Sequence, residues 1–320
     1  MPNILIALGA NLGDRGETLQ QAIEQLAAMP ELTLLAQSEL LVTKPVGGPS
    51  GQPDFLNSAA KFSTELTPEE VHQRLIDVEQ NHGRVRVQRW GARKLDLDLL
   101  LYDEQLINTA QLTVPHPRMS FRRFVMQPAA EVAAEMRHPD LNTTIGEIWQ
   151  HLSQSPPVVE IAALPGPAVK QLCDSVQSEL GESFVSCANF SWASSSSKEA
   201  LLQSARKAAD TSAIDRSLPP GNGVTILPWW YGLASILQQA TVPKIDPAFA
   251  PRLTIYWNRP DNTFGDTEKN WWSQEEKNGL QAQLAQAVQE NVRTPRLWLD
   301  GNDLPSAVTE AAAAIQAMQG

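Results

Sequence analysis

Arg89-Trp90-Gly91-Ala92-Arg93-Lys94-Leu95-Asp96-Leu97-Asp98-Leu99 joins an arginine-rich loop to a stretch in which apolar and acidic residues alternate strictly. Alternation at period two marks a strand with one buried face, so Leu95, Leu97 and Leu99 are expected in a core and Asp96 and Asp98 together on the opposite face. Two carboxylates held that close repel each other, and the usual relief is a hard divalent cation with oxygen ligands, most often Mg²⁺ that keeps waters and substrate phosphates. An isolated Asp-x-Asp would read as the wet face of an ordinary amphipathic strand. Here Arg84, Arg86, Arg89 and Arg93 stand just upstream, with Gly83 and Gly91 beside them, in a chain that is acidic overall. Guanidinium forks match phosphate oxygens where lysines would act only as point charges. The combination points to a nucleotide triphosphate with magnesium, held at Asp96 and Asp98.

Working outward, 320 residues exceed one comfortable core, and two domains are expected. A net charge of -11 and a pI near 5.0 argue against a general nucleic-acid or anionic-membrane surface, so any basic patch is local. Cys173 and Cys187 are the only cysteines and show no metal-ligand spacing, which fits a reduced, cytoplasmic setting. The opening Ile4 to Leu8 run turns at Gly9 and lacks a basic leader, so it reads as a first strand rather than a signal peptide. No stretch is long enough to span a membrane.

Residues 1 to about 150 alternate strand and helix signals. Strands are expected at Ile4 to Leu8, Leu32 to Val42, Phe55 to Thr64, Leu95 to Tyr102 and Gln105 to Ile107, with helices over Gly13 to Met29 and Phe124 to Ala134. Thr67-Pro68-Glu69-Glu70 is a capping box with proline at the first helical position, opening a helix through Val71, Leu75 and Val78. This order fits an α+β, ferredoxin-like layer. Ser153 to Pro157 ends in two prolines and reads as a linker, giving domains over 1–155 and 156–320. Beyond it, strands at Val158 to Leu164, Arg252 to Trp257 and Arg296 to Leu299 alternate with helices at Lys170 to Leu180, Gln274 to Asn291 and Ser306 to Met318. Ser194 to Ser197 reads as a solvated turn. The pattern suggests a parallel α/β layer. Trp192, Trp229, Trp230, Trp257, Trp271, Trp272 and Trp298 fall in this half and are read as core.

The first half resembles 6-hydroxymethyl-7,8-dihydropterin pyrophosphokinases. The resemblance runs from Leu5 to about Leu152, through Ala7-Leu8-Gly9-Ala10-Asn11-Leu12-Gly13, Gln52-Pro53-Asp54-Phe55-Leu56-Asn57, Gly83-Arg84-Val85-Arg86, Arg89 to Asp98, and Leu112-Thr113-Val114-Pro115-His116. It implies an enzyme of folate biosynthesis that moves the β,γ-diphosphate of ATP to the hydroxymethyl oxygen of a dihydropterin and releases AMP. On that resemblance Asp96 and Asp98 hold two Mg²⁺ ions, and Arg84 and Arg93 belong to a mobile loop that closes on the phosphates. Phe55 and Phe124 would sandwich the pterin, Asn57 would read its edge, and Thr43, Val46 and Trp90 would complete the pocket. Glu79, Arg89, Thr113, His116 and Arg122 would serve the nucleotide. Phe55 stands where a tyrosine is common, Gln111 where an arginine is frequent, and Pro117 where an aromatic is; the loop before Arg89 is one residue short of some relatives.

The second half weakly resembles deoxynucleoside-kinase-like P-loop domains in Glu160 to Pro167, Arg252 to Trp257 and Pro295 to Asp300, with Asp215-Arg216-Ser217 as a thin further echo. That family needs a glycine-rich loop ending in Gly-Lys-Ser/Thr, whereas Lys170 here is followed by Gln171 and lacks the preceding glycines. A degenerate, catalytically silent domain serving homodimerisation or docking is therefore expected. Two other readings compete: a non-catalytic nucleotide or pterin sensor, and a bifunctional enzyme with an active nucleoside kinase. In all three the partners are small molecules, with no nucleic acid and no membrane.

Overall fold

The computed structural model describes residues 1–83, 91–163, 167–181, 184–187, 223–228, 251–258, 273–290, 294–301 and 303–319. They fall into two compact units, Met1–Ser153 with Gln316–Gly320, and Gln154–Ile315.

In the first unit the strands are β1 (Asn3–Ala10), β2 (Leu32–Gln37), β3 (Leu41–Thr43), β4 (Phe55–Thr64) and β5 (Asp96–Tyr102), in the order β2-β4-β1-β5 with β3 alongside β4. Every pairing is antiparallel. Helix α1 (Arg15–Ala27) joins β1 to β2, and α2 (Pro68–Asn81) joins β4 to β5. One sheet face supplies Ile4, Ile6, Leu8, Ala60, Phe62, Leu97 and Leu99, which bury against Leu19, Ile23 and Leu26 of α1 and Val71, Leu75 and Val78 of α2. The helical spacing of those apolar residues is what forms the helices, since a lone helix of this length is marginal in water. Thr67 caps α2 as its sequence predicts: its Oγ1 accepts from the Glu70 amide at 3.3 Å, and its own amide donates to Glu70 Oε2 at 2.8 Å.

The acidic strand carries a correction to its own alternation. Leu5 pairs with Leu101 and Ile6 with Leu99, so Leu100 is the extra residue of a bulge. Leu95, Leu97 and Leu99 face the core before it, and Tyr102 does after it, donating to the Leu66 carbonyl at 2.7 Å. Unbroken alternation would have turned Tyr102 to the other face.

On the opposite face α3 (Arg123–Ala133) packs against β4 and β1 through Met126, Ala129 and Ala133. Two short antiparallel pairs, β6 (Ile107–Asn108) with β7 (Thr113–Val114) and β8 (Arg137–His138) with β9 (Thr143–Thr144), precede α4 (Ile145–Gln154). Arg123 holds α4 down: its guanidinium lies 4.8 Å from the Trp149 ring centre and donates to the Leu152 carbonyl at 3.0 Å.

Three expectations change. The run Leu32 to Val42 is two strands, because the Ser38 side chain takes the Ala59 amide at 2.9 Å and replaces a ladder bond there. The β6 strand begins at Ile107, not Gln105. Helix α4 carries the chain through Ser153 to Gln154, so the extended linker starts only at Ser155.

The second unit is a parallel sheet in the order β11-β12-β10-β13-β14, from β10 (Val158–Ala162), β11 (Val185–Cys187), β12 (Val224–Pro228), β13 (Leu253–Asn258) and β14 (Arg296–Asp300). Helices α5 (Pro167–Leu180), α6 (Gln274–Glu290) and α7 (Leu304–Gln319) accompany it. Strands β11 and β12 were not foreseen; they are only three and five residues long. Trp257 is buried as expected, whereas Trp298 is 39% exposed on β14, edge-on to Tyr256. The other five tryptophans, Leu164, the Ser194 to Ser197 turn and Asp215-Arg216-Ser217 lie outside the described residues.

A polar row crosses this sheet. Glu160 pairs with Thr254 and Thr254 with Arg296, all three buried. Arg296 donates to the Val288 and Gln289 carbonyls at the end of α6, a favourable place for a cation. Thr254 Oγ1 has no hydrogen-bond partner among the described residues. Burial pushes the Glu160 carboxyl up to about 8, so it is neutral in the folded protein at pH 7. The unfolded chain releases that proton at an ordinary carboxylate pH. Stability from this group is therefore complete below about pH 4.5 and is lost progressively as pH rises to about 8. Thermal melts from pH 5 to 9 should show Glu160→Gln stabilised relative to the parent by a margin that grows with pH, at a slope of up to about 1.4 kcal/mol per unit. A constant margin would mean that Glu160 is ionised in the folded state.

Candidate functional site

The α3 face of the first sheet gathers the polar residues. Asn57 pairs with Gly9, and Gly9 with Asp96; one step along, Ala59 pairs with Ala7, and Ala7 with Asp98. Residues opposite one another share a face, so Asn57 and Asp96 look out across a glycine and Asp98 looks out across an alanine. At roughly 4.8 Å per strand, Asn57 and Asp96 stand about 10 Å apart with a shallow lane between them. A Cβ at Gly9 would lie 3.4 Å from Asn57 Oδ1, so a longer side chain there would fill the lane.

At the β4 end, Asn57 is buried and its Nδ2 donates to Thr43 Oγ1 at 2.8 Å. Thr43 pairs with Phe55, whose ring is half-buried on the same face as Asn57. Val46 lies in the loop of 44–54, where Gly47, Gly48 and Gly51 all take positive φ (67°, 75° and 79°), a backbone only glycine adopts freely. Phe124 enters from the first turn of α3, with the Arg122 guanidinium 5.7 Å from its ring centre. Thr43, Val46, Phe55, Asn57 and Phe124 thus come from elements that border one side of the lane.

At the β5 end, Asp96 Oδ1 is 2.6 Å from Arg93 Nη1, so this acid is not bare. Asp98 Oδ2 lies 3.9 Å from His116 Nε2, too long for a hydrogen bond. His116 follows the cis Val114–Pro115 bond, and its Nδ1 accepts from the Arg118 amide at 3.2 Å, which leaves the ring hydrogen on Nε2. Burial first, then Arg122 and Arg118, lower its pKa to about 3, so His116 is a neutral donor facing the acids. Burial also lowers the Arg122 pKa, while Asp98 and Asp96 work the other way. Thr113 is half-buried on β7 beside this corner. Gln111 is exposed, its amide held by Thr109 Oγ1.

Glu79 sits beneath the site rather than in it. It is 1% exposed, and its Oε1 accepts from the Leu97 amide at 2.9 Å, between the two acids. It therefore ties α2 to the outer edge of β5. Arg84, Arg86, Arg89 and Trp90 lie outside the described residues.

Two partly exposed carboxylates on one strand face suit a hard cation that also keeps water and phosphate oxygens, and Asp96 and Asp98 fit Mg²⁺ in that sense. Among the described residues no cluster of three or more His, Cys, Asp or Glu offers a cage of protein ligands alone. Sequence reasoning missed Gly9 and Asn11. Gly9 passes for a turn signal, and its use is visible only once both neighbouring strands are in register. Asn11 looks like an ordinary polar residue at a strand end, yet it is 1% exposed. A polar side chain closing an apolar strand, just before a glycine-bearing turn, was the available signal.

The family model described as 7,8-dihydro-6-hydroxymethylpterin-pyrophosphokinase matches residues 5–134. Curated relatives named 2-amino-4-hydroxy-6-hydroxymethyldihydropteridine pyrophosphokinase include that of Pseudomonas aeruginosa, 40% identical over 163 residues, or 51% of this chain and 97% of the relative. Those of Haemophilus influenzae, 41% identical over 42% of this chain and 84% of the relative, and Bacillus subtilis, 43% identical over 41% and 78%, carry the same name. A solved Plasmodium falciparum HPPK-DHPS structure with pteroate aligns over 93% of this chain and 79% of that one at 12% identity and a TM-score of 0.38, too low to bear on either unit. The match to the family model takes in the lane, both acids and the histidine corner, the likeness to the Pseudomonas enzyme spans nearly that whole protein, and the chain belongs to the 7,8-dihydro-6-hydroxymethylpterin-pyrophosphokinase family.

Proposed function

We propose that the first unit transfers the β,γ-diphosphate of ATP to the hydroxymethyl oxygen of 6-hydroxymethyl-7,8-dihydropterin across the Gly9 lane, releasing AMP in folate biosynthesis. The observation that carries the assignment of roles is the Asn57–Gly9–Asp96 row. Its span of about 10 Å suits a flat bicyclic ring read at one edge by Asn57, with its hydroxymethyl arm reaching the acids. Phe55 and Phe124 supply ring faces, with Thr43, Val46 and Trp90 around them. A side-chain amide donates and accepts at once, which matches the amide-like pterin edge.

The reaction forms a bond from the hydroxymethyl oxygen to Pβ and breaks the bond from Pβ to the oxygen bridging the α-phosphate, which leaves on AMP; the hydroxyl proton passes to solvent or phosphate. Such transfers depend on position and electrostatics more than on a protein base. His116, neutral and half-buried, fits that demand as a donor rather than a base. Asp96 and Asp98 would hold two Mg²⁺ ions, which when bound neutralise phosphate charge and make the hydroxyl more acidic. Arg93 is already poised beside Asp96, the half-buried Arg122 lies within the field of both acids, and Arg84 and Arg89 would add donors as the loop closes over the phosphates. Thr113 and His116 would border the nucleotide, and Glu79 would keep β5 in place beneath it.

The ferredoxin-like reading of the first unit draws support from the order β2-β4-β1-β5 and from a βαβ and a second βαβ succession, with the short β3 as an additional strand alongside β4. For domains over 1–155 and 156–320, the second is read as a degenerate P-loop-kinase-like layer without catalysis, serving homodimerisation or docking. In its favour, five parallel strands run in the order 2-3-1-4-5. Lys170, moreover, pairs on the surface with Asp174 one helical turn on. The cysteine content supports a cytoplasmic setting, and no helix among the described residues is long and apolar enough to cross a membrane.

Incubated with ATP, Mg²⁺ and the dihydropterin, the full chain should yield AMP and pterin diphosphate in equal amounts; ADP instead would overturn the reading. Asp96→Ala and Asp98→Ala should each cut AMP formation by about a hundredfold or more. Asp98→Ala should leave the melting temperature close to the parent's, because that carboxylate is partly exposed and its pair with His116 is long at 3.9 Å; a large drop would assign it a structural role. Asn57→Leu should raise the pterin KM roughly 10- to 100-fold with the ATP KM little changed. Equal rises in both would take Asn57 out of the pterin pocket. Silence of the second unit is tested with the Asp98→Ala full chain: ADP formed from ATP and any deoxynucleoside would show an active kinase.

A further inference from the structure

Asn11 leaves β1 at the far end of the lane and joins both of its sides. Its backbone amide donates to the Arg93 carbonyl at 3.1 Å, and its Oδ1 accepts from the Arg93 amide at 2.8 Å. The side chain thus extends the β1–β5 pairing past its last strand bond and holds the backbone of the arginine that meets Asp96. Its Nδ2 reaches the other way, to the Pro53 carbonyl at 3.3 Å and Gln52 Oε1 at 3.4 Å. Gln52 in turn donates to the Pro49 carbonyl at 3.2 Å, across the glycine-rich loop of 44–54. Pro53 is two residues from Phe55 and four from Asn57. With the side chain 1% exposed, water cannot substitute for these partners without opening the site.

A buried amide has one acceptor and one donor end, and here each end is committed to a different half of the site. If the pterin orders the 44–54 loop, Pro53 and Gln52 fix Asn11, and Asn11 fixes where Arg93 stands. The same chain runs in reverse from the nucleotide, because coupling between two sites is reciprocal. We infer that Asn11 is a positioning residue that links occupancy of the pterin pocket to the placement of Arg93 at the phosphate end. The inference rests on the assignment of pterin and nucleotide to the two ends of the lane. Asn11 itself touches neither substrate; it acts through Pro53, Gln52 and Arg93.

The full-length chain should be titrated with 6-hydroxymethyl-7,8-dihydropterin in the absence and presence of saturating Mg²⁺ and α,β-methylene-ATP, which cannot be cleaved at the reacting bridge. In the parent, the nucleotide should tighten pterin binding by at least about fivefold, the lower end of ordinary coupling between sites. Asn11→Ala should bring that factor close to one. Gln52→Ala removes one arm on the pterin side while leaving the Arg93 contact intact, and should reduce the factor in part. Should Asn11→Ala fail to fold, Gln52→Ala carries the test, since a general loss of packing would weaken both ligands without changing their ratio. A factor near one in the parent, or parental coupling in both variants, overturns the inference. A parent that binds neither ligand, or that forms no AMP from ATP and pterin, rejects the assignment of function instead.

Discussion

The register of β1 between β4 and β5 is the constraint from which the rest of the first unit follows. One strand must show Ile4, Ile6 and Leu8 to the helices and, on its other face, present nothing larger than Ala7 and Gly9 between two neighbours that carry Asn57, Asp96 and Asp98. A shift of either neighbour by one residue would bury the acids against α1 and α2 and put leucines in the lane. The register is therefore enforced by the hydrophobic effect on the helix side, although its use lies on the other. The large apolar contribution of Phe62, Leu97, Leu99 and their partners holds these polar groups in place from the other side of the sheet.

Much of this was legible, and the part that was not has a physical cause. Leu95 to Leu99 announced its faces through period two, the Thr67 box announced α2, and Phe55 with Asn57 announced a shared face. These signals are local, involving residues within four of one another. Gly9 and Asn11 were not legible because their roles depend on partners far along the chain: Arg93, Pro53 and the opposed strands. The Leu100 bulge escaped for the same reason, since DLDLLLY reads equally well with the break at any of its last leucines, and only the pairing with Leu5 and Ile6 selects one. In the second unit β11 (Val185-Ser186-Cys187) and β12 (Val224-Thr225-Ile226-Leu227-Pro228) are too short to establish a period that would mark them.

Part of the acids' charge is met before any substrate arrives. Asp96 meets Arg93 at 2.6 Å, and both acids lie in the field of Arg122. Burial and the two nearby arginines keep His116 neutral, so it adds no further positive charge beside Asp98. Arg93 has two claims on it, the carboxylate it touches now and the phosphates that would come with ATP. Cations bound at Asp96 would loosen the first claim and free the guanidinium for the second.

That exchange explains why the backbone of Arg93 is held at both its amide and its carbonyl, while its side chain is held by the Asp96 carboxylate and only a long 3.5 Å bond to the Gly91 carbonyl. A guanidinium that must change partners needs a fixed pivot, or the cost of ordering it would fall on every turnover. Asn11 supplies the pivot from a strand that cannot move without breaking the core. Its amide also reaches the pterin-side loop, so the pivot is itself adjustable from the far end of the lane. On the proposed assignment of the two ends of the lane, a rigid sheet carries two loops whose settings meet at one buried side chain, and β1 would fix the distance between a pterin edge and the phosphates whatever the loops do.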